Sequence, residues 1–371
     1  MIDLPAWENS FYGVAAFLFG ICIGSFLNVV IYRVPRGLSV NKPKRSFCPS
    51  CKKAIPVSRN IPLFTWLIQR GKCAECKAPI AARYFLVELL TGLLWLGCWY
   101  YFSDPLEAVF FMALSVIFLI IWAVDVELML IPRSFVVIGS LIGLTGGALM
   151  PERLDQATWQ KGLLFSAYGL AIGWFCMWLV VLLGKAMFGQ RKFDFEKPVK
   201  WRLREPETDE FDDELTFIID DEEIGWSEIF FRKKDKLVFN DIPLLNIDGK
   251  KTPAETLEIR ETYILIDGER KSITMLKSLD GKTSSAVIPR EAMGMGDVDL
   301  LAMIGACFGA PSLLIIVMFA CVFGLSWGIL NRLGLGKEFP FGPSLIAGAV
   351  FWVFWGQETW AWYLDLVNIP H

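Results

Sequence analysis

The chain has 371 residues, 54% of them hydrophobic, with a mean hydropathy of +0.46, 15 tryptophans and 29 phenylalanines. That apolar load exceeds what a water-soluble domain holds, so a soluble protein is excluded and a polytopic membrane protein is expected, with no nucleic-acid partner. The formal net charge of −3 decides nothing, because charge is segregated along the chain.

Apolar runs long enough to cross ~30 Å of hydrocarbon occur near 11–32, 84–102, 108–130, 134–150, 163–184, 298–310, 312–330 and 343–364, the sixth being short. The expected fold is therefore an all-α polytopic membrane protein of about eight transmembrane helices. The stretch before the first run, "MIDLPAWENS", has no basic residue, and the run itself is too long for a signal peptide, so it should remain as a helix. Four regions follow: 1–107, with two spans and a loop at 33–83; 108–188, the first part of a membrane core; 189–288, an insertion; and 289–371, the second part of the core.

Loop 33–83 carries 12 Lys or Arg against one acidic residue, Glu75, which puts it in the cytoplasm. Counting crossings from there places both termini on the outer, periplasmic side. Within the loop, "CPSC" (Cys48, Cys51) and "CAEC" (Cys73, Cys76) are two C-x-x-C turns separated by 21 residues. Tetrahedral zinc takes four thiolates, and two such turns complete a structural site. Disulfides are the alternative, disfavoured in a reducing compartment. Lys52, Lys53, Lys72 and Lys77 flank the turns and either offset the site's negative charge or are solvated. Cys22, Cys98, Cys176, Cys307 and Cys321 stand singly in or beside apolar runs and read as small hydrophobes.

Charges at membrane depth are costly and mark function. The candidates are Asp125 and Glu127 at the end of the third span and Asp297 and Asp299 at the start of the sixth, all on the cytoplasmic side. Positions i and i+2 of a helix point about 200° apart, so neither pair can act as a dyad by itself and a pair must be built across the two segments. Gly294 and Gly296, just before Asp297 in "GMGD", permit close backbone approach and unusual dihedrals there. Two carboxyl groups held together share a proton, so one serves as general base and the other as general acid. Peptide hydrolysis is one use of such a pair; ion binding or proton relay is another.

The insertion opens on an acidic linker, "REPETDEFDDE", followed by short β-rich pieces, "LTFIID", "KLVFNDIPLL" and "TLEIRETYILIDGERKSITML". Asp-Gly pairs at 248–249, 267–268 and 280–281 read as turns between strands of a small cytoplasmic β domain with a docking or structural role.

Taken together, "GSFLNVVIYRVPRG" (24–37), the two C-x-x-C turns, "DVELMLIP" (125–132), "EAMGMGDVDLLAMIGA" (291–306) and "FPFGPSLIAGA" (339–349) resemble the bacterial type IV prepilin peptidases. The resemblance covers nearly the whole chain outside the insertion. It implies a GxGD-type intramembrane aspartic endopeptidase of the bacterial inner membrane. Such enzymes remove the leader of type IV prepilins or type II secretion pseudopilins on the cytoplasmic side. Bifunctional members then N-methylate the new N-terminus with S-adenosylmethionine. Carried onto this chain, the resemblance makes Asp125 and Asp297 the catalytic aspartates and Cys48, Cys51, Cys73 and Cys76 the zinc-type ligands, and it implies the methyltransferase activity too. A non-enzymatic transporter or assembly factor with a zinc docking loop is the rival reading.

Two positions depart from the family pattern. Arg133 stands where an acid is common ("IPR" for "IPD"), and Asp299 where a base is common ("GDVD" for "GDxK"). A swapped ion pair between them, tying the third-to-fourth span junction to the start of the sixth, is one reading; two independent surface changes are the other. Ser25 and Asn28, one turn apart in the first span, read as helix–helix hydrogen-bonding residues or as contacts to S-adenosylmethionine.

Overall fold

The computed structural model describes residues 6–43, 45–48, 50–56, 60–205, 215–220, 222–230, 235–252, 254, 256–273, 278–289, 294–330 and 339–367. Its helices are α1 (Ala6–Arg33), α2 (Phe64–Ile68), α3 (Ala82–Tyr101), α4 (Pro105–Leu128), α5 (Arg133–Leu149), α6 (Trp159–Phe188), α7 (Trp226–Ile229), α8 (Met295–Phe308), α9 (Ala310–Leu330) and α10 (Gly342–Leu366). Each of the eight apolar runs coincides with one of these helices. Among the described residues, five of them, in α1, α3, α4, α6 and α9, are long and apolar enough to cross a membrane, and α5 is a shorter apolar helix. The chain divides into two compact units, Met1–Trp178 with Met295–His371, and Leu179–Gly294.

In the first unit, α1 packs along α3 through small residues. A Cβ on Gly20 would lie 2.8 Å from Gly92 Cα, and one on Gly24 would lie 2.7 Å from Glu88 Cα. Lipid offers no hydrophobic drive for helix association, so such close backbone contact, with its dispersion and hydrogen bonds, holds the pair. Asn28 adds a bond across it, Nδ2 donating to Tyr84 O at 3.0 Å. Leu27, Val30 and Ile31 of α1, Val87 of α3, and Ile120 and Val124 of α4 form a buried cluster that fixes the C-terminal end of α4. α5 lies against α8, Gly143 coming close to the backbone at Ala306 and Cys307.

The second unit is an antiparallel sheet, with strands β1 (Gln190–Arg204), β2 (Thr216–Ile219), β3 (Glu222–Gly225), β4 (Leu237–Asn240), β5 (Leu244–Ile247), β6 (Lys250–Thr252), β7 (Thr256–Ile259), β8 (Tyr263–Ile266), β9 (Glu269–Ser272) and β10 (Leu279–Pro289). Its main path runs β3-β2-β1-β10-β4-β7-β8-β9, with β5 beside β10 and β6 beside β5. β1 and β10 pair from Gln190↔Pro289 to Arg202↔Asp280 across a bulge, so the segment's two ends lie side by side, as suits an insertion. Trp201, 1% exposed, stacks on Phe239 at 4.5 Å and anchors the core with Phe217.

Two of the three Asp-Gly pairs are turns. Asp248–Gly249 and Asp267–Gly268 have φ of 51° and 78°, and of 48° and 88°, positive at both positions as a tight hairpin turn requires. The pair at 280–281 is not a turn: it lies inside β10, opposite β1 and β5. There Asp280 Oδ2 accepts from Asn246 Nδ2 at 2.9 Å. Gly281 is needed for closeness, since a Cβ would meet Leu244 O at 2.5 Å and the Trp201 ring at 3.1 Å. The acidic linker lies mostly outside the described residues, only Arg204 and Glu205 of it being described.

Candidate active site and metal centre

Asp125 sits in the last turn of α4, which stops where Met129 takes a left-handed conformation, φ 50°, and returns its N–H to Asp125 O at 2.9 Å. Asp125 is only 4% exposed. Its Oδ2 accepts the backbone N–H of Gly342 at 3.0 Å, at the first residue of α10. Pro343 follows; its fixed φ suits the first turn of a helix and its missing N–H costs nothing there. Asp297, 9% exposed, lies in the first turn of α8. Asp125 therefore faces the N-terminus of α10, and Asp297 lies in that of α8; the unpaired N–H groups and dipole there favour negative charge.

Ile131, between α4 and α5, holds these starts together. A Cβ on Gly296 would lie 2.9 Å from Ile131 Cβ, and one on Gly342 would lie 3.3 Å from Ile131 Cδ1 and 2.5 Å from Asp125 Oδ2. Gly296 thus serves close approach, as expected, without the unusual dihedral also expected, since its φ is not positive. Gly342 had no assigned role from sequence. The signal was there in "FPFGP", a glycine heading a helix just ahead of a proline.

The opposite directions of i and i+2 appear at both pairs. Glu127 points away from Asp125, meeting Arg36 Nη2 at 3.2 Å, three residues past α1, and Arg83 Nη1 at the start of α3. Asp299 turns away from Asp297, and its Oδ2 lies 3.6 Å from Arg133 Nε, the swapped ion pair anticipated from the exchanged residues. It joins the ends of α5 and α8.

The four loop cysteines converge, their sulfurs all within 4.8 Å of one another. Zn–S bonds of ~2.3 Å imply sulfur–sulfur edges of about 3.8 Å, and Cys48 Sγ and Cys76 Sγ are 3.8 Å apart. The two turns are built alike. Lys52 and Lys77, one residue past each pair, have φ of 58° and 62° and return their N–H to Cys48 O and Cys73 O. Isolated bridges Phe47↔Ala54 and Lys72↔Pro79 close each turn at matching positions. The backbone N–H groups of Cys51 and Ser50 hold the Cys48 thiol below its ordinary pKa. Those of Cys76 and Glu75 bring Cys73 down to about 6. Donors aimed at sulfur favour the thiolate at these two positions; at Cys76 the Ala78 N–H acts the same way, but burial and the neighbouring thiols push it up to about 11, so it is the convergence of the four sulfurs that fits a tetrahedral zinc. Of the flanking lysines, Lys53 reaches across to Glu75 Oε2 at 3.1 Å, joining one turn to the other. No described cysteine forms a disulfide.

The loop is tied to the helices by Arg33, whose Nη1 donates to the carbonyls of Ser39, Val40 and Pro43 at 3.2, 2.8 and 2.9 Å. Trp66 Nε1 donates to Ile80 O at 3.3 Å, and Glu88 Oε2 accepts from Leu63 N–H at 2.7 Å.

Residues 18–102 match the family model described as the Bacterial Peptidase A24 N-terminal domain, and residues 272–329 match that of the Type IV leader peptidase family. The second match contains Asp297 and Asp299; Asp125 lies outside both. A prepilin leader peptidase/N-methyltransferase of Aeromonas hydrophila is 27% identical over 380 residues, covering 95% of this chain and 94% of that protein. One of Dichelobacter nodosus is 32% identical over 199 residues, 47% of this chain and 67% of that protein. One of Myxococcus xanthus is 41% identical over 142 residues, 38% of this chain and 42% of that protein. No solved structure matches the chain.

Proposed function

The chain belongs to the type IV leader peptidase family, and we propose that it removes the leader of type IV prepilins or type II secretion pseudopilins and then N-methylates the new N-terminus. It is an aspartic endopeptidase of the bacterial inner membrane. Its catalytic pair is Asp125 and Asp297. What supports this reading is that two buried carboxyl groups from distant segments stand at helix starts that both close on Ile131, one of them held by Gly342 N–H.

Two carboxyl groups held close share one proton. The ionised member takes a proton from water as the oxygen attacks the scissile carbonyl, and the protonated member gives its proton to the carbonyl oxygen. Collapse of the tetrahedral species breaks the C–N bond, the leaving amine taking a proton from the carboxyl that received it and one hydroxyl returning its proton to the other carboxylate as the carbonyl reforms. Gly342 N–H fixes one Asp125 oxygen, leaving the other to face water and substrate.

Eight helices span the bilayer in this reading, α5, α8 and α10 joining the five of sufficient length and apolarity, with both termini periplasmic and loop 33–83 cytoplasmic. Residues 189–288 form a cytoplasmic domain between two parts of the core. Cys48, Cys51, Cys73 and Cys76 would hold zinc, which when bound cross-links the two turns and fixes the loop over α1 and α3. S-adenosylmethionine is the methyl donor. Asp125→Asn and Asp297→Asn, each assayed on a prepilin, test the peptidase assignment. Both should abolish leader cleavage while the protein remains folded and membrane-inserted, and full processing by both variants refutes it.

A further inference from the structure

Helix α2 leaves an apolar face open. Ile61, Phe64, Leu67 and Ile68 recur at helical spacing, and the Thr65 N–H reaching Ile61 O at 3.1 Å extends the turn back to Ile61. These four side chains are 53, 62, 55 and 79% exposed. The opposite face is committed inward: Trp66 packs on Phe85 of α3 with ring centroids 5.1 Å apart, and its Nε1 donates to Ile80 O. An open apolar patch of this kind on a charged loop marks an interaction surface.

The level of α2 along α3 decides what covers it. α3 is an apolar span of 20 residues, ~30 Å long, the thickness of the hydrocarbon. Leu63, at the head of α2, donates its N–H to Glu88 Oε2 at 2.7 Å, and Glu88 lies six residues, ~9 Å, into that span. Helix side chains lean toward the N-terminus by up to one turn, ~5 Å, so Leu63 stands ~4–9 Å below the level at which α3 begins. Ile80, bonded to Trp66, stands two residues before α3. α2 therefore straddles the start of the span. Leu86 and Leu90, on either side of Glu88 in α3, are 50 and 44% exposed, as lipid-facing residues are, so acyl chains reach that level. An interfacial helix sits at this depth, its apolar face ~5–10 Å into the boundary between headgroups and acyl chains. Charge agrees. Arg70 and Lys72, both exposed, follow α2 directly, in a loop whose 12 basic residues face one acid, Glu75, and basic residues beside a span are drawn to anionic lipid.

We infer that α2 is an interfacial anchor: Ile61, Phe64, Leu67 and Ile68 enter the acyl region of the cytoplasmic leaflet, and Arg70 and Lys72 take its anionic headgroups. The inference rests on the proposed topology, with α3 spanning the bilayer and loop 33–83 cytoplasmic. The anchor acts on the cysteine turns. Gly71, where a Cβ would meet the Trp66 ring at 2.9 Å, and Lys72 lead from α2 directly into Cys73, and Gly71 O accepts from Ile80 N–H at 2.7 Å. A helix held in the leaflet thus holds the second C-x-x-C turn at a fixed height above it.

The test uses the full, unmodified chain in vesicles of phosphatidylethanolamine and phosphatidylglycerol, with a trace of phospholipid carrying a diazirine on its acyl chain. After illumination, trypsin releases residues 60–70, cut after Arg59 and Arg70, and residues 84–133, which hold α3 and α4. Acyl label should appear on both peptides. Label on 84–133 alone overturns the anchor and leaves the topology standing, whereas label on neither overturns the topology and the anchor with it. Label on 60–70 that disappears when the protein-to-lipid ratio is raised tenfold, or when prepilin is added, assigns the face to a second copy or to the substrate and likewise overturns the anchor. Phe64→Ser combined with Ile68→Ser, both at exposed positions, should cut label on 60–70 fivefold or more with 84–133 unchanged, and label as strong as in the wild type overturns the anchor. With phosphatidylcholine in place of phosphatidylglycerol, label on 60–70 should fall at least twofold; an unchanged label overturns the headgroup contact of Arg70 and Lys72.

Discussion

Replacing Gly342 with alanine places a methyl group against the Asp125 carboxylate. The new Cβ would lie 2.5 Å from Asp125 Oδ2 and 3.3 Å from Ile131 Cδ1. Ordinary contact starts near 3.4 Å, so the carboxylate must retreat by roughly an ångström, lengthening the 3.0 Å bond from Gly342 N–H. Hydrogen bonds to charged groups contribute about 1.5–3 kcal/mol. A misplacement of ~1 Å in a catalytic group costs about 10²-fold in rate. The two estimates agree, and Gly342→Ala should lower kcat for leader cleavage by about 10²-fold with little change in KM. The assay is a cleavage time course with purified protein and prepilin. Gly328→Ala serves as control, because a Cβ there meets nothing within 4 Å. Cleavage by Gly342→Ala within twofold of wild type would refute the placement of Asp125.

The Arg133–Asp299 pair, with side chains 78% and 27% exposed, should contribute no more than about 1 kcal/mol. Arg133→Asp or Asp299→Arg alone should slow cleavage two- to fivefold, and the double reversal should restore it; a double variant no better than either single one removes the idea of an exchanged pair. Metal analysis should find one zinc per chain, lost in Cys48→Ser, and a metal-free protein with four intact thiols contradicts the site. In chelator-stripped protein, Cys73 is the thiol to watch on alkylation. Its pKa is depressed to about 6 from an ordinary ~8.5, so its thiolate persists at pH 7 and is lost only as pH falls through about 6. The alkylation rate should fall off there, and a fall-off near 8.5 would show that the backbone donors are not engaged. Trp201→Ala should cost the β unit about 3–5 kcal/mol and expose it to limited proteolysis in the full chain.

Long apolar runs were legible because membrane span and helix length are set by the same thickness, and every run is a helix. The four cysteines were legible because metal geometry fixes their spacing, and the opposed directions of Asp125 and Glu127, and of Asp297 and Asp299, followed from helical periodicity alone. Gly342 was not legible as a partner of Asp125, since a bond between residues 217 apart leaves no local trace. Strands β1 and β10 were missed for different reasons. In β1 the alternation of Phe193, Phe195, Val199, Trp201 and Leu203 is interrupted by a bulge and masked by charged neighbours. In β10 the Asp-Gly pair imitates a turn, but Gly281 is there because Trp201 and Leu244 leave no room for a side chain. The exchanged ion pair was legible only against the family pattern, as two departures of opposite sign.

The most direct measurement is the product mass after the purified protein is incubated with a prepilin and S-adenosylmethionine. Loss of the leader together with gain of one methyl group is the predicted result for the wild type, and neither change for Asp125→Asn or Asp297→Asn, since methylation needs the terminus that cleavage frees. An unprocessed prepilin with the folded wild-type protein, or full processing by the aspartate variants, would contradict the account.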